Sequence, residues 1–180
     1  MKALITGASS GIGRDIARYL GSLGHELILV GRNKEKLESL QKELKVKSTV
    51  VIVDLSDSTK VKELYILAKN FDIDILVNNA GFGVFGEFSE TDLNKELEMI
   101  NTNITAVHLL TKLFLRDMKK KDSGYILNVA SSAAFGPGPL MATYYATKAY
   151  VNNLTEAIHE ELRRSNSNVH IASLCPGPVD

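Results

Sequence analysis

The sequence predicts a doubly wound α/β domain, a parallel sheet held between two layers of helices. Short apolar runs alternate along the chain with amphipathic stretches of helical period, and that alternation implies right-handed crossovers between parallel strands. Most of the apolar runs are nearly continuous, the pattern of strands covered on both faces. A length of 180 residues with 44% hydrophobic residues suits one domain, 1–180, around one core.

In chain order, strands are expected at Lys2–Thr6 (KALIT), Glu26–Val30 (ELILV), Thr49–Val53 (TVVIV), Ile73–Val77 (IDILV), Gly124–Ala130 (GYILNVA) and Val169–Leu174 (VHIASL). Helices are expected between them at Ile12–Leu23, Lys34–Leu44, Ser58–Lys69, across a broken region from Thr91 to Met118, and at Ala142–Arg164. Phe135-Gly136-Pro137-Gly138-Pro139 reads as a loop between a strand and a helix.

Charge excludes several function classes. The 21 Lys+Arg and 21 Asp+Glu cancel, which argues against nucleic acid as a partner. The densest basic run, Lys119-Lys120-Lys121, is followed at once by Asp122 and reads as a solvated helix end. Cys175 stands alone, so no internal disulfide is expected and a reducing compartment is the simpler setting. His25, His108, His159 and His170 show no zinc spacing, and His159-Glu160-Glu161 lacks the second histidine of a metalloprotease helix. No apolar run approaches the ~18 residues of a membrane span. The first strand begins almost at Met1, leaving no room for a signal peptide, so a cytoplasmic protein with no membrane partner is expected.

The first strand runs into Thr6-Gly7-Ala8-Ser9-Ser10-Gly11-Ile12-Gly13. Glycines at this strand–helix junction permit positive φ and let a pyrophosphate approach the backbone where helix N–H groups point outward. The fold expected is therefore Rossmann-type. A Walker loop is excluded, because no Gly-Lys-Ser/Thr follows. Gly7-Ala8-Ser9-Ser10-Gly11 also matches the nucleophile elbow of α/β-hydrolases, with Ser9 as nucleophile. That alternative needs His159 or His170 as base, and no His-Gly-Gly-Gly segment accompanies it.

Tyr144 and Lys148 stand one helical turn apart, just beyond a strand that ends at Ser131-Ser132. A free phenol, with pKa about 10, is a poor acid–base at neutral pH. A lysine ammonium one turn away stabilises the phenolate, bringing it nearer the operating pH that general acid–base work needs. A serine hydroxyl at the strand end suits the substrate oxygen. A second such spacing, Tyr65 and Lys69, falls mid-helix with no polar constellation expected nearby and reads as a surface pair.

Taken together, these segments resemble the short-chain dehydrogenase/reductase family over essentially the whole chain. Thr6–Gly13 matches its cofactor loop, Asn78-Asn79-Ala80-Gly81 its NNAG segment, Tyr144–Lys148 its YxxxK, and Pro176-Gly177 the Pro-Gly after its sixth strand. The resemblance implies a pyridine-nucleotide oxidoreductase that interconverts a carbonyl and a secondary alcohol. Tyr144 is the implied acid–base, and Lys148 lowers its pKa and binds the nicotinamide ribose. Ser131, thirteen residues before Tyr144, orients the substrate carbonyl, and Asn103 holds a proton-relay water. Gly7, Ser9, Ser10, Gly11, Ile12, Gly13, Asp54, Leu55, Asn79, Ala80, Gly81, Pro176 and Gly177 are the implied cofactor contacts, while Asn78 is taken as mainly structural, bonding neighbouring backbone. A non-catalytic dinucleotide-binding regulator is the alternative on the same fold. Family members carry a substrate loop, a helix and a further strand beyond Pro-Gly, so this chain, which ends at Asp180, is expected to lack them. They also assemble, and a homodimer or homotetramer is expected, with Ile104, Val107, Leu110 and Phe114 as a candidate stripe that must also cover the sheet.

The second strand ends Leu29-Val30-Gly31-Arg32-Asn33, without the carboxylate that binds a ribose 2′-OH in NAD enzymes. Arg32 offers a guanidinium fork suited to a 2′-phosphate. NADP(H) is therefore the expected cofactor, with NAD(H) as the alternative. Arg14, one turn into the helix, is a doubtful second cation for it.

Overall fold

The computed structural model describes residues 1–178; Val179 and Asp180, the end of the predicted domain, lie outside the described residues. Strands β1 (Lys2–Thr6), β2 (Glu26–Gly31), β3 (Ser48–Ile52), β4 (Ile75–Asn78), β5 (Gly124–Val129) and β6 (Val169–Leu174) form one parallel sheet in the order β3-β2-β1-β4-β5-β6. The helices are α1 (Gly11–Ser22), α2 (Lys34–Glu43), α3 (Ser58–Ala68), α4 (Leu93–Ile100), α5 (Val107–Lys121) and α6 (Ala142–Arg164). The expected Rossmann-type architecture is what the chain adopts.

The unbroken apolar runs divide by strand periodicity. Ala3, Ile5, Leu27 and Leu29 pack with Ala17 of α1 and with Leu37 and Leu40 of α2. Their neighbours Leu4, Ile28 and Val30 face the other way, against Val61 and Leu64 of α3 and Leu110 and Phe114 of α5. All these side chains are buried, and each Val, Leu, Ile and Phe among them contributes about 1.5–3 kcal/mol by leaving water. Val107, Leu110 and Phe114 thus point into the protein rather than toward a second copy. The α1–α2 layer stops short of β5 and β6, where Tyr125 stacks on His170 at 5.4 Å with both rings exposed. No helix among the described residues is long and apolar enough to cross a membrane.

Two expectations shift. The fourth strand, read as Ile73–Val77, runs instead over Ile75–Asn78, with Asp74 at its entry tied to the start of β1. Its carboxylate accepts from the Lys2 N–H at 2.8 Å, and its own N–H donates to the Lys2 carbonyl at 2.9 Å. Ile73 is buried but outside the ladder, so apolarity overshot pairing. The broken region from Thr91 to Met118 resolves into α4, a π-helical turn at Asn101–Ala106, and α5. The basic run closes α5 as expected, favourably placed at the negative end of the helix dipole.

Candidate active site

The strand order reverses between β1 and β4, and ligands of open parallel sheets enter beyond the carboxyl ends at such a point. Thr6 and Asn79 build the floor there. Thr6 Oγ1 donates to the Val77 carbonyl at 3.3 Å and accepts from the backbone N–H groups of Asn79 and Ala80 at 3.0 and 3.1 Å. Asn79 Nδ2 in turn donates to the carbonyls of Thr6 and Gly7 at 3.1 and 3.2 Å. Behind them Gly13 packs so closely that a Cβ would overlap the Gly7 carbonyl and the Asn79 side chain. Ser10 at the N-cap position makes no side-chain cap, and the first turn of α1 holds no acid. Its outward N–H groups therefore suit an anion.

A cleft of about 910 Å³ opens above this floor. Gly7, Ser9, Ser10, Gly11, Ile12, Arg32, Asp54, Leu55, Asn79, Ala80, Gly81, Ser131, Tyr144, Lys148, Pro176 and Gly177 all line it. Gly13 and Asn103 stand behind its wall.

At one end, α6 presents Tyr144 and, one turn on, Lys148. Lys148 is buried, its Nζ donating to the Val129 carbonyl at 2.9 Å and standing 5.8 Å from the centre of the Tyr144 ring. Burial pulls its ammonium down from 10.5 to about 8, and the nearby Cys175 sulfur offsets that only in part. Ser131 caps the short 3-10 turn Ser132–Phe135, its Oγ accepting from the Ala133 N–H at 3.1 Å. The cap uses a lone pair and leaves the O–H to donate. The Ser132 N–H donates to the Pro176 carbonyl at 2.8 Å, which closes Pro176-Gly177 over the same end.

Asn103 sits in the π-helical turn, fully buried. Its Nδ2 donates to the Phe82 carbonyl at 2.9 Å and to Thr147 Oγ1 at 3.0 Å, and its Oδ1 accepts from the Phe82 N–H at 3.1 Å. Both amide hydrogens are thereby committed to protein partners. The side chain fixes the loop after β4 to α6.

A model of the short chain dehydrogenase family matches residues 1–180. The chain belongs to that family. An uncharacterized oxidoreductase of Staphylococcus epidermidis is 33% identical over 180 residues, covering 99% of this chain and 77% of that protein. Among solved structures, a metagenomic short-chain oxidoreductase in complex with NADP superposes with a TM-score of 0.90 at 35% identity, over 99% of this chain and 83% of that one. The bulky-bulky ketone specific alcohol dehydrogenase from Comamonas testosteroni superposes with a TM-score of 0.90 at 32% identity, over 98% and 72%.

The other end of this short-chain dehydrogenase's cleft differs in detail from expectation. Arg32 Nη1 is held by Glu98 Oε1 of α4 at 2.7 Å. Arg14 turns away, bonded to Glu43 of α2 at 3.0 Å, so it is no second cation for the cleft. Asp54 is not a helix cap; Asp57 caps α3. Asp54 instead accepts from the Ser56 N–H and hydroxyl at 3.0 and 2.8 Å, bonds that, with the more distant Arg32 charge, hold its carboxyl below the usual range. Asn78 bonds the side chains of Thr111 and Asn128 rather than backbone, at 3.0 and 2.9 Å. No histidine lines the cleft beside Ser9; His159 bonds the Ile171 carbonyl and His170 lies on Tyr125, so the hydrolase alternative lacks its base.

Tyr65 has partners the sequence did not suggest. Its hydroxyl donates to Asp117 at 2.6 Å, and Lys69 Nζ lies 5.0 Å from its ring centre. Burial and then the Asp117 bond push its pKa up, opposite to what an acid–base needs. Sequence reasoning also missed Thr6, Thr147 and Glu98. Thr6 had a signal, a polar residue closing an apolar strand at the glycine loop; the other two had none.

Proposed function

We propose that the protein is an NAD(P)-dependent oxidoreductase that interconverts a carbonyl compound and a secondary alcohol. The observation carrying this reading is the convergence of Ser131, Tyr144 and Lys148 on one end of the same cleft whose floor is the glycine loop. The cleft fits a dinucleotide: an uncapped helix N-terminus suits a pyrophosphate, and the backbone at Gly11 has open space for it. Lys148 suits the nicotinamide ribose, and Asp54 and Leu55 suit the adenine. When bound, the nicotinamide supplies or accepts the hydride.

The chain's own groups handle the proton and the orientation. The Ser131 O–H donates to the substrate oxygen and holds it beside the phenol. Tyr144 gives that oxygen its proton in reduction and takes it back in oxidation. Lys148, poised near 8 by burial, stabilises the phenolate between turnovers. Asn103 holds the relay water through its backbone, because its side chain is committed to Phe82 and Thr147. Arg32 takes the 2′-phosphate, making NADP(H) the preferred form, a reading the NADP-bound relative supports. A regulator that only binds dinucleotide has a use for Lys148 but none for the phenol beside it. The test is consumption of NADPH with a panel of ketones and aldehydes, with ester cleavage run in parallel. Turnover of carbonyls and none of esters is expected, and NADPH binding without turnover of any carbonyl overturns the assignment.

A further inference from the structure

The ion pair between Arg32 and Glu98 joins residues 66 positions apart, from the tip of β2 and from α4. Its place at the cleft rim gives it a consequence for the cofactor. Both side chains reach solvent, 60% and 25% exposed, and exposed pairs of this kind contribute little to folding. The position of α4 does not depend on the pair. Met99 beside Glu98 is fully buried, and Glu96 anchors the same helix by accepting from Thr91 Oγ1 at 2.9 Å and Thr143 Oγ1 at 3.1 Å. The helix that carries Glu98 is therefore held beside Arg32 when the guanidinium engages an anion.

We propose that Glu98 is a specificity-determining residue that limits the preference of this cleft for a 2′-phosphorylated dinucleotide. The inference rests on Arg32 receiving the 2′-phosphate. A phosphate taken by the remaining donors of Arg32 lies on the same fork as the Glu98 carboxylate, and the two anions repel. Arg32's charge is also already offset by Glu98, with Lys95 at 3.4 Å only partly redressing the balance. A 2′-hydroxyl carries no charge and is indifferent to Glu98. The residue thus weakens NADPH binding and leaves NADH binding as it is, narrowing the gap between them.

Glu98→Gln isolates the effect, because the amide oxygen still accepts from Arg32 while the charge is gone. Dissociation constants for NADPH and NADH, read from nicotinamide fluorescence, are compared in the wild type, Glu98→Gln, Glu98→Lys and Arg32→Ala. Glu98→Gln is expected to tighten NADPH binding about three- to tenfold at low salt, the scale of one charge acting on a dianion in a watery dielectric. Glu98→Lys tightens it further, and NADH stays constant in both. The gain shrinks as salt screens it. NADPH binding unchanged or weakened in Glu98→Gln, with Arg32→Ala still weakening it, overturns the role of Glu98 alone. NADPH binding unchanged in Arg32→Ala overturns the underlying reading of Arg32.

Discussion

Lys148 Nζ donates to the Val129 carbonyl at 2.9 Å, pinning α6 to the carboxyl end of β5 with a buried ammonium. Burial holds that group near 8 in the folded chain against 10.5 when unfolded. Between these values the unfolded chain carries more protons, so stability rises with pH across that window and the penalty is full below it. Lys148→Met should therefore stabilise the protein at pH 7 by about 2 kcal/mol, after the lost bond to Val129 is set against the relieved charge. Denaturant melts should show that gain shrinking above pH 8 and turning into a small loss before pH 10.5, where the missing Val129 bond outweighs what is left of the charge penalty, while turnover is lost throughout.

Tyr144→Phe should lower kcat at least about a hundredfold, within the range that general acid–base catalysis supplies. The dissociation constant for NADPH should barely move, since the glycine loop and Lys148 remain. Tyr65→Phe is the matched control. It should leave kcat alone and cost about 1 kcal/mol in stability, because the Asp117 bond goes with the hydroxyl. Retention of more than about a tenth of wild-type kcat in Tyr144→Phe would show that the phenol is not the proton donor.

These two tyrosines also show how far the sequence could be read. Both head the same Tyr-x-x-x-Lys spacing, and position relative to strand ends told which of them lines the cleft. Local signals were legible because they are local: strand ends, the glycine loop, the lysine one turn from its tyrosine. What was not legible came from long-range partners. Glu98 reaches Arg32 across 66 positions and Thr147 reaches Asn103 across 44. Nothing in the neighbourhood of either residue announces its partner, because packing of helices on the sheet decides it. For the same reason the hold of the Asn103 side chain on Phe82 and Thr147 could not be read from its neighbours in sequence.

Asn103→Leu should weaken the site by loosening that hold. The Phe82 N–H and carbonyl lose their partner, and Thr147 Oγ1 loses a donor while keeping its own bond to the Tyr144 carbonyl, at a cost of about 2 kcal/mol or more for the Phe82 groups left unpaired. Both the melting temperature and kcat should fall. Asn103→Asp keeps the acceptor for the Phe82 N–H but turns a buried carboxylate oxygen on the Phe82 carbonyl and Thr147 Oγ1, so its melting temperature should fall as well.

Gly11 and Gly13 occupy one loop for different reasons, and alanine should separate them. Gly11 sits at φ +52° with open space around the position of a Cβ, so Gly11→Ala meets only the left-handed backbone penalty, about 1–2 kcal/mol. A local shift of the turn can relieve part of it. At Gly13 a Cβ meets the Gly7 carbonyl and the Asn79 side chain. Neither can move freely, because Asn79 Nδ2 is bonded to the carbonyls of Thr6 and Gly7 themselves. Gly13→Ala must push α1 away from the loop or break those bonds, and either change disturbs the floor of the cleft. NADPH binding should therefore be lost in Gly13→Ala and weakened only several-fold in Gly11→Ala, as measured by fluorescence titration. Equal losses in the two variants would mean that backbone conformation alone, and not close packing on Asn79, sets the shape of the loop.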